Sequence, residues 1–375
     1  MPNSSLKTPY SLLQGKRILV TGACGTVGSE LVRQLLTDKH YAPDEVIGID
    51  NNESQLFFLD QEYLDDARAR FFVADIRDRD ELCRRMRGVD IVFHAAALKH
   101  VILCERSPEQ AVQTNIQGVQ NVIAAATENQ VERVIFTSSD KAVNPTNVMG
   151  TSKLMGERLM TAANSHKRGD GPIFASTRFG NVLGSNGSVI PIFHNQIAKG
   201  GPITLTDREM TRFVMSIEEA VRLVIDSAEL ARGGEVFITK MPVVRIEDMA
   251  TAMIRILAPH YGHEDKDIDV TVIGAKPGEK LYEELMSDEE TRRSVELTNY
   301  FAVLPAFRGI YQDIAYDYEN IISEAVTNPY ISAVETCMSP EEVSGFLEEN
   351  RLLEKPEEDT ARRYWPGDKE AKTES

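Results

Sequence analysis

RILVTGACGTVGSE, residues 17–30, reads as a buried strand that breaks at glycine and resumes as a helix. Gly22 permits the tight turn, Gly25 lets the backbone approach a pyrophosphate, and Gly28 lets the helix pack closely on the strand. Thr26 and Val27 open that helix, whose first amides attract an anion. A glycine-rich turn with no ligand has similar text. The context separates the two, because this turn heads a long βαβ series.

Working outward, the apolar runs EVIGI (45–49), RFFVA (70–74), DIVFH (90–94), RVIFTS (133–138) and IFAST (173–177) alternate with helical segments near 26–39, 53–65, 78–88, 108–128 and 147–166. Strands that are apolar throughout belong in a parallel sheet covered on both faces. The expected fold is therefore α/β, a doubly wound parallel sheet with right-handed crossovers. After Arg178 the text turns Gly-, Pro- and Asn-rich, as ordered loops do. A strand at 235–239, a helix near 246–258, a strand at 269–274 and a helix from about Lys280 complete a smaller region. The expected division is a dinucleotide-binding domain over 1–180 and a mainly substrate-binding region over 181–335, partly interleaved with the sheet. Residues 336–375 follow as a C-terminal helix and a frayed polar tail.

Of 375 residues, 42% are hydrophobic and 26% charged, which is ordinary globular usage and excludes fibrous or wholly disordered readings. Lys and Arg number 41 against 58 Asp and Glu, a net charge of -17 at pH 7. Nucleic-acid partners are not expected, since phosphate neutralisation needs a cationic face. A small phosphorylated ligand stays compatible, because one helix N-terminus and a few local cations hold it. The cysteines, Cys24, Cys83, Cys104 and Cys337, form no CxxC pair, which argues against a disulfide framework, a zinc site or any other metal centre. No stretch approaches the ~18 apolar residues of a membrane span, and the N-terminus lacks a signal-peptide core. The expected compartment is the cytoplasm.

Asp50 ends the second strand, where a carboxylate accepts hydrogen bonds from the adenosine ribose diol and repels a 2′-phosphate, favouring NAD over NADP. It is equally placed to cap the next helix. Asp75 and Ile76, after the third strand, suit the adenine, though Asp75 also fits a strand-end cap. The small residues from Ala95 let the chain pass under a flat cofactor, with Lys99 near it, while His94 reads as a packed core residue. After the fifth strand comes SSDKAVNPTNVMGTSK, residues 138–153. Met149 and Lys153 stand four apart on one helix face, and the methionine carries no proton.

The motifs HAAALKHV (94–101), SSDKAVNPTNVMGTSK (138–153), RFGNVLGSNGSVIPIF (178–193), MTRFVMSIEEAV (210–221) and KPGEKLYEEL (276–285) resemble those of the UDP-N-acetylglucosamine 4,6-dehydratases. These are the polysaccharide-biosynthesis branch of the extended short-chain dehydrogenases, and the likeness runs from about Lys16 to Leu304. The glycine spacing GxxGxxG fits that group. Met149 resembles the section in which Met replaces the usual Tyr before GxxK, and the chain resembles its short form without a transmembrane region.

The resemblance implies a lyase on a UDP-sugar and a Rossmann sheet. NAD takes a hydride from carbon 4, a base removes the acidified proton at carbon 5, the 6-hydroxyl leaves as water, and the hydride returns to carbon 6. It further implies Asp140 as acid for the leaving hydroxyl and Lys141 as base at carbon 5, with retention there. Such a lysine needs a lowered pKa, to which Lys99 and Lys153 would contribute. Lys153 holds the nicotinamide ribose, Met149 walls the pocket, and Ser138 or Ser139 bonds the 4-hydroxyl. The 4-hydroxyl proton goes to Asp140, Lys153 or water. Asn181, Arg212, Lys276 and Glu279 are assigned to the nucleotide and sugar, Lys276 standing where the family more often has Arg. A homodimer or larger homo-oligomer is expected through helices 108–128 and 147–166. Competing readings are a dehydratase that inverts carbon 5, a 4-epimerase, and a non-catalytic NAD-binding protein.

Overall fold

The computed structural model describes residues 12–165, 171–184, 189–274, 280–307 and 314–353. The first half alternates as the sequence predicts: β1 (Arg17–Thr21), α1 (Thr26–Thr37), β2 (Glu45–Asp50), α2 (Glu53–Glu62), β3 (Ala69–Val73), α3 (Arg79–Arg85), β4 (Ile91–His94), α4 (Val101–Arg106), α5 (Pro108–Ala111), α6 (Gly118–Glu128), β5 (Arg133–Ser139), α7 (Val148–Ser165) and β6 (Ile173–Phe179). Side-chain caps explain several helix starts. Asn52 accepts from Gln55 N before α2, and Asp78 accepts from Glu81 N before α3.

Among the described residues, ten strands form one sheet, in the order Ile321–Ser323, Ser294–Leu297, Tyr300–Val303, Val236–Thr239, β6, β5, β4, β1, β2, β3. The strands from Val236–Thr239 to β3 pair in parallel, and the first three add antiparallel pairs at one edge. Residues beyond 180 thus build part of the same sheet. One face buries Ile18, Val20 and Phe93 under Leu31 and Leu35 of α1 and Val221 and Val224 of the helix Ile217–Leu230. The other buries Leu19, Val92 and Val134 under Val119 and Val122 of α6 and Met160 of α7. Each such side chain contributes roughly 1.5–3 kcal/mol of burial.

Two elements differ from expectation. The 108–128 helix is not uniform, because Val112–Gln117 between α5 and α6 is a π-helical turn. The turn carries Asn115 inward, where its side chain accepts from Leu98 N and donates to Leu98 O and Ser152 Oγ. The segment after Lys280 is not a helix. Glu284–Met286 pairs antiparallel with Tyr330–Ile331, and Glu283 N donates to Ser332 Oγ while Ser332 N donates to Glu283 O. Partners 49 residues away satisfy this backbone, so it needs no helical bonds. The C-terminal helix, Pro340–Glu349, is capped by Ser339 and buries Val343 and Leu347 against the helix Ile246–Leu257.

Candidate functional site

β1 pairs with both β2 and β4, so the chain direction across the sheet reverses at β1 and leaves a crevice at the carboxyl ends of these strands. Gly22 lies there with φ 70°, and a Cβ on it would stand 2.7 Å from Ala96 Cα. A Cβ on Gly28 would stand 2.0 Å from Gly22 O. Only glycine lets α1 start this close to the strand. Gly25 is the N-cap of α1 with no side-chain cap bond, so the first-turn amides face the cleft beside Thr26 and Val27. Asp50 does not cap α2, a role taken by Asn52, but braces the turns on either side of it. One carboxylate oxygen accepts from Cys24 N at 3.1 Å, the other from Asn52 N at 2.9 Å, and the group lines the crevice. Asp75, Ile76 and Ala95 line the adjoining pocket, where the Arg77 guanidinium binds Asp75 and holds its carboxyl below the usual range. This cradle of backbone amides, small side chains and a ribose-height carboxylate fits a dinucleotide.

The same crevice continues past Lys99 at its exposed rim into a cleft of about 940 Å³ lined by Ser138, Asp140, Lys141, Met149, Lys153 and Asn181 among others. β5 delivers the chemical groups. Its last residue, Ser139, accepts from Lys141 N and so caps the short 3₁₀ turn Asp140–Ala142. Ser138 Oγ, like Ser176 Oγ, stays buried without a partner among the described residues. Of the two serines proposed for the 4-hydroxyl, Ser138 therefore has the unspent bond.

Lys153 Nζ donates to Thr137 O at 3.0 Å and lies 4.8 Å from the Phe136 ring centre. Burial pulls its pKa down to about 8, against the upward pull of Glu157. Beneath it, His94 is fully buried, bonded through Nδ1 to Thr21 Oγ1. Burial and then the Lys153 charge push His94 down to about 3, so it is neutral, in keeping with a core residue. Met149 packs on Cys104 and Ala111 as a wall of the cleft.

Lys141 corrects the sequence reading. Its Nζ donates to both oxygens of Asp140, at 3.1 and 2.9 Å, and lies 3.9 Å from Glu283 Oε1. Burial lowers its pKa, but Asp140 and Glu283 outweigh that, and the net shift is upward. The side chain is 37% exposed to the open cleft, which further limits the effect of burial. The cation opposing them is Arg212, not Lys99 or Lys153. Lys141 therefore rests as an ammonium.

Glu283 was not singled out from sequence. Its side chain is 7% exposed, and its carboxyl accepts from Asn181 Nδ2 at 2.8 and 2.9 Å and from Phe213 N at 3.3 Å. Arg212 Nε faces it at 3.3 Å. Arg212 NH1 also donates to Thr211 O and Leu281 O, and NH2 to Lys280 O. Arg212 and Asn181 line the cleft, but these bonds make them struts that hold residues 280–283 in place rather than cations or amides turned wholly to a ligand. Lys276 and Glu279 lie outside the described residues. The signal for Glu283 in the text was weak, one carboxylate in a run of several.

Residues 18–305 match the family described as polysaccharide biosynthesis protein. An uncharacterized membrane protein of Methanocaldococcus jannaschii is 51% identical over 290 residues, 77% of this chain and 86% of that protein. A UDP-N-acetylglucosamine 4,6-dehydratase (inverting) of Campylobacter jejuni is 39% identical over 303 residues, 80% of this chain and 86% of that protein. A UDP-glucose 4-epimerase of Rickettsia bellii is 39% identical over 295 residues, covering 77% and 82%. Among solved structures, Pen from Bacillus thuringiensis superposes with a TM-score of 0.80 at 39% identity, covering 91% of this chain and 99% of that one. A dTDP-glucose 4,6-dehydratase of Streptomyces venezuelae, solved with NAD bound, gives 0.60 at 27% identity, covering 71% and 86%.

Proposed function

The chain belongs to the polysaccharide biosynthesis protein family, and on that premise we propose that it is an NAD-dependent 4,6-dehydratase of UDP-N-acetylglucosamine; we propose further that it retains configuration at carbon 5, unlike the Campylobacter jejuni relative, whose name gives inversion. The observation that carries this reading is the Asp140–Lys141 pair, hydrogen-bonded just past the carboxyl end of β5 in the cleft that continues from the dinucleotide turn. Bound NAD supplies the hydride acceptor for carbon 4 and the donor for carbon 6. The first-turn amides of α1 would hold its diphosphate, Asp50 its ribose diol, and Lys153 the ribose next to the nicotinamide.

With Met149 aprotic, Lys153 takes the 4-hydroxyl proton, since a lysine near 8 exists partly as free amine at neutral pH. Ser138 Oγ bonds the same oxygen. The elimination then needs an acid and a base together. Moving one proton from Lys141 Nζ to Asp140 across their 2.9 Å hydrogen bond makes both at once. The neutral amine removes the carbon-5 proton, and the carboxylic acid protonates the departing 6-hydroxyl. The pair ends as ammonium and carboxylate, its resting form. Lys141 then returns a proton to carbon 5 from the face it came from, which is why retention follows from a single carrier. The proton released at the 4-hydroxyl, returned through solvent, restores the count.

The Rickettsia bellii relative favours a second reading, a 4-epimerase. Epimerisation moves a hydride out and back and has no use for the Asp140–Lys141 pair. The same pair opposes a non-catalytic NAD-binding role. The substrate is a UDP-sugar, and no nucleic acid or metal enters this account. We include a homodimer through the helices over 108–128 and 147–166, where Val112 and Met155 are exposed. No helix among the described residues is long and apolar enough to cross a membrane, in keeping with the proposed cytoplasmic location.

Asp140→Asn tests the assignment. The variant should oxidise carbon 4 but stall before elimination, so reduced nicotinamide accumulates in its absorbance band while dehydration slows at least about a hundredfold. A variant with unchanged turnover and no such absorbance removes Asp140 from the mechanism.

A further inference from the structure

We propose that Glu283 is a positioning residue of this site which, with Asp140, brackets the Lys141 ammonium and keeps its proton on Nζ until the sugar is bound. The proposal rests on the dehydratase reading for its purpose, though not for its geometry. Glu283 reaches the site from a segment 142 residues further along the chain (283 − 141), and besides its contacts to the backbone and Arg212 it lies 3.9 Å from Lys141 Nζ. Its carboxyl is held on every side: Asn181 Nδ2 donates to both oxygens, Phe213 N to one, and its own backbone is locked to Ser332. The charged groups facing it are Lys141 at 3.9 Å, Arg212 at 3.3 Å and Asp140, whose charge also acts on it directly.

Where Glu283 is ionised, two carboxylates and two cations make this cluster neutral as long as Lys141 keeps its proton. Loss of that proton to solvent leaves an uncompensated anion in a cleft where Asp140 is 5% exposed and Glu283 6%. It also leaves the site with a base and no acid, because Asp140 is then ionised with no donor. Internal transfer to Asp140 avoids both outcomes. Glu283 thus protects the shared proton without making a bond to substrate. Its own pKa lies near neutrality, raised toward about 7 by burial and then by Asp140, against Lys141, Arg212 and Asn181. Below that point it is neutral and adds little, but Lys141 needs no help there. Above it the carboxylate forms and its hold on the ammonium grows, over the range where Lys141 would otherwise begin to lose its proton.

The test has two arms. In unmodified protein, amine modification of individual lysines followed by peptide mass spectrometry across pH should find Lys141 reacting more slowly than Lys266, which is 77% exposed. Its reactivity should also rise at a pH about one unit or more higher. Equal onset for the two lysines overturns the proposal, whatever the enzyme does to sugars. In Glu283→Gln, the alkaline fall in dehydration should move down by about one pH unit or more relative to wild type, while the first oxidation keeps its pH profile. Glu283→Asp should restore part of the shift. A residue that only supports the fold would lower the rate at every pH and leave the limb where it was, and that result overturns the proposal. Absence of any dehydration by wild type, with Lys141 still protected from modification, would instead refute the dehydratase reading alone.

Discussion

Lys153→Met should make the cofactor-free protein more stable at neutral pH while abolishing turnover. Lys153 is 7% exposed, and burial takes its pKa from 10.5 to about 8. That difference of about 2.5 units is worth ~3 kcal/mol at ~1.36 kcal/mol per unit, carried as a penalty wherever the lysine is charged in both states. The folded value lies below the unfolded one, so the unfolded chain binds more protons between about pH 8 and 10.5, and stability rises with pH across that window. From about pH 7.5 to 9.5 the wild type should gain ~2 kcal/mol from this group. Methionine fills similar space but forfeits the bond to Thr137 O, which returns ~1–2 kcal/mol of the gain at low pH. Urea unfolding of both proteins at the two pH values reads the difference, and other titrating groups cancel between them. Parallel pH slopes for wild type and variant would refute the argument that Lys153 is a strained, buried cation held for its chemistry.

Two further outcomes follow from the geometry. Gly28→Ala places a methyl 2.0 Å from Gly22 O, so the turn must move, and the protein should lose ~1–3 kcal/mol and copurify without cofactor, as nucleotide content would reveal. Glu290→Gln removes one arm of the buried ion triad in which Arg178 bonds Glu157 and Glu290. Burial raises the Glu290 pKa, but Arg178 outweighs it and holds the carboxyl near 2, so wild-type stability should fall as pH drops from about 4.5 to 2. The variant should be destabilised by ~3–5 kcal/mol at neutral pH and lack that part of the acid loss, readable by denaturant titration.

The sheet and the dinucleotide turn were legible because local rules decide them. Apolar runs, capping residues and glycines without room for a Cβ each leave a mark within a few residues, as at Gly22, Gly28 and Asn52. The segment after Lys280 misled for the opposite reason. Its Leu281, Leu285 and Met286 suit a helix, yet pairing to Tyr330–Ile331 settles it as a strand, and propensity yields to tertiary contact. Asp140 and Lys141, the proposed acid and base, were readable as residue types but not as charge states. Lys141 looked like a lysine that needed lowering, and its ammonium became evident only once Asp140 and then Glu283 were seen against its Nζ. Ser139 and Ser138 are adjacent in sequence, and only the turn geometry shows that Ser139 caps the turn while Ser138 Oγ stays buried without a partner.

The most direct measurement follows deuterium placed on carbon 4 of UDP-N-acetylglucosamine through one incubation with purified protein and no added cofactor. The account predicts a product lighter by one water that carries the label on carbon 6. An unlightened sugar, with the label back on carbon 4 of an epimer or never moved at all, would contradict it.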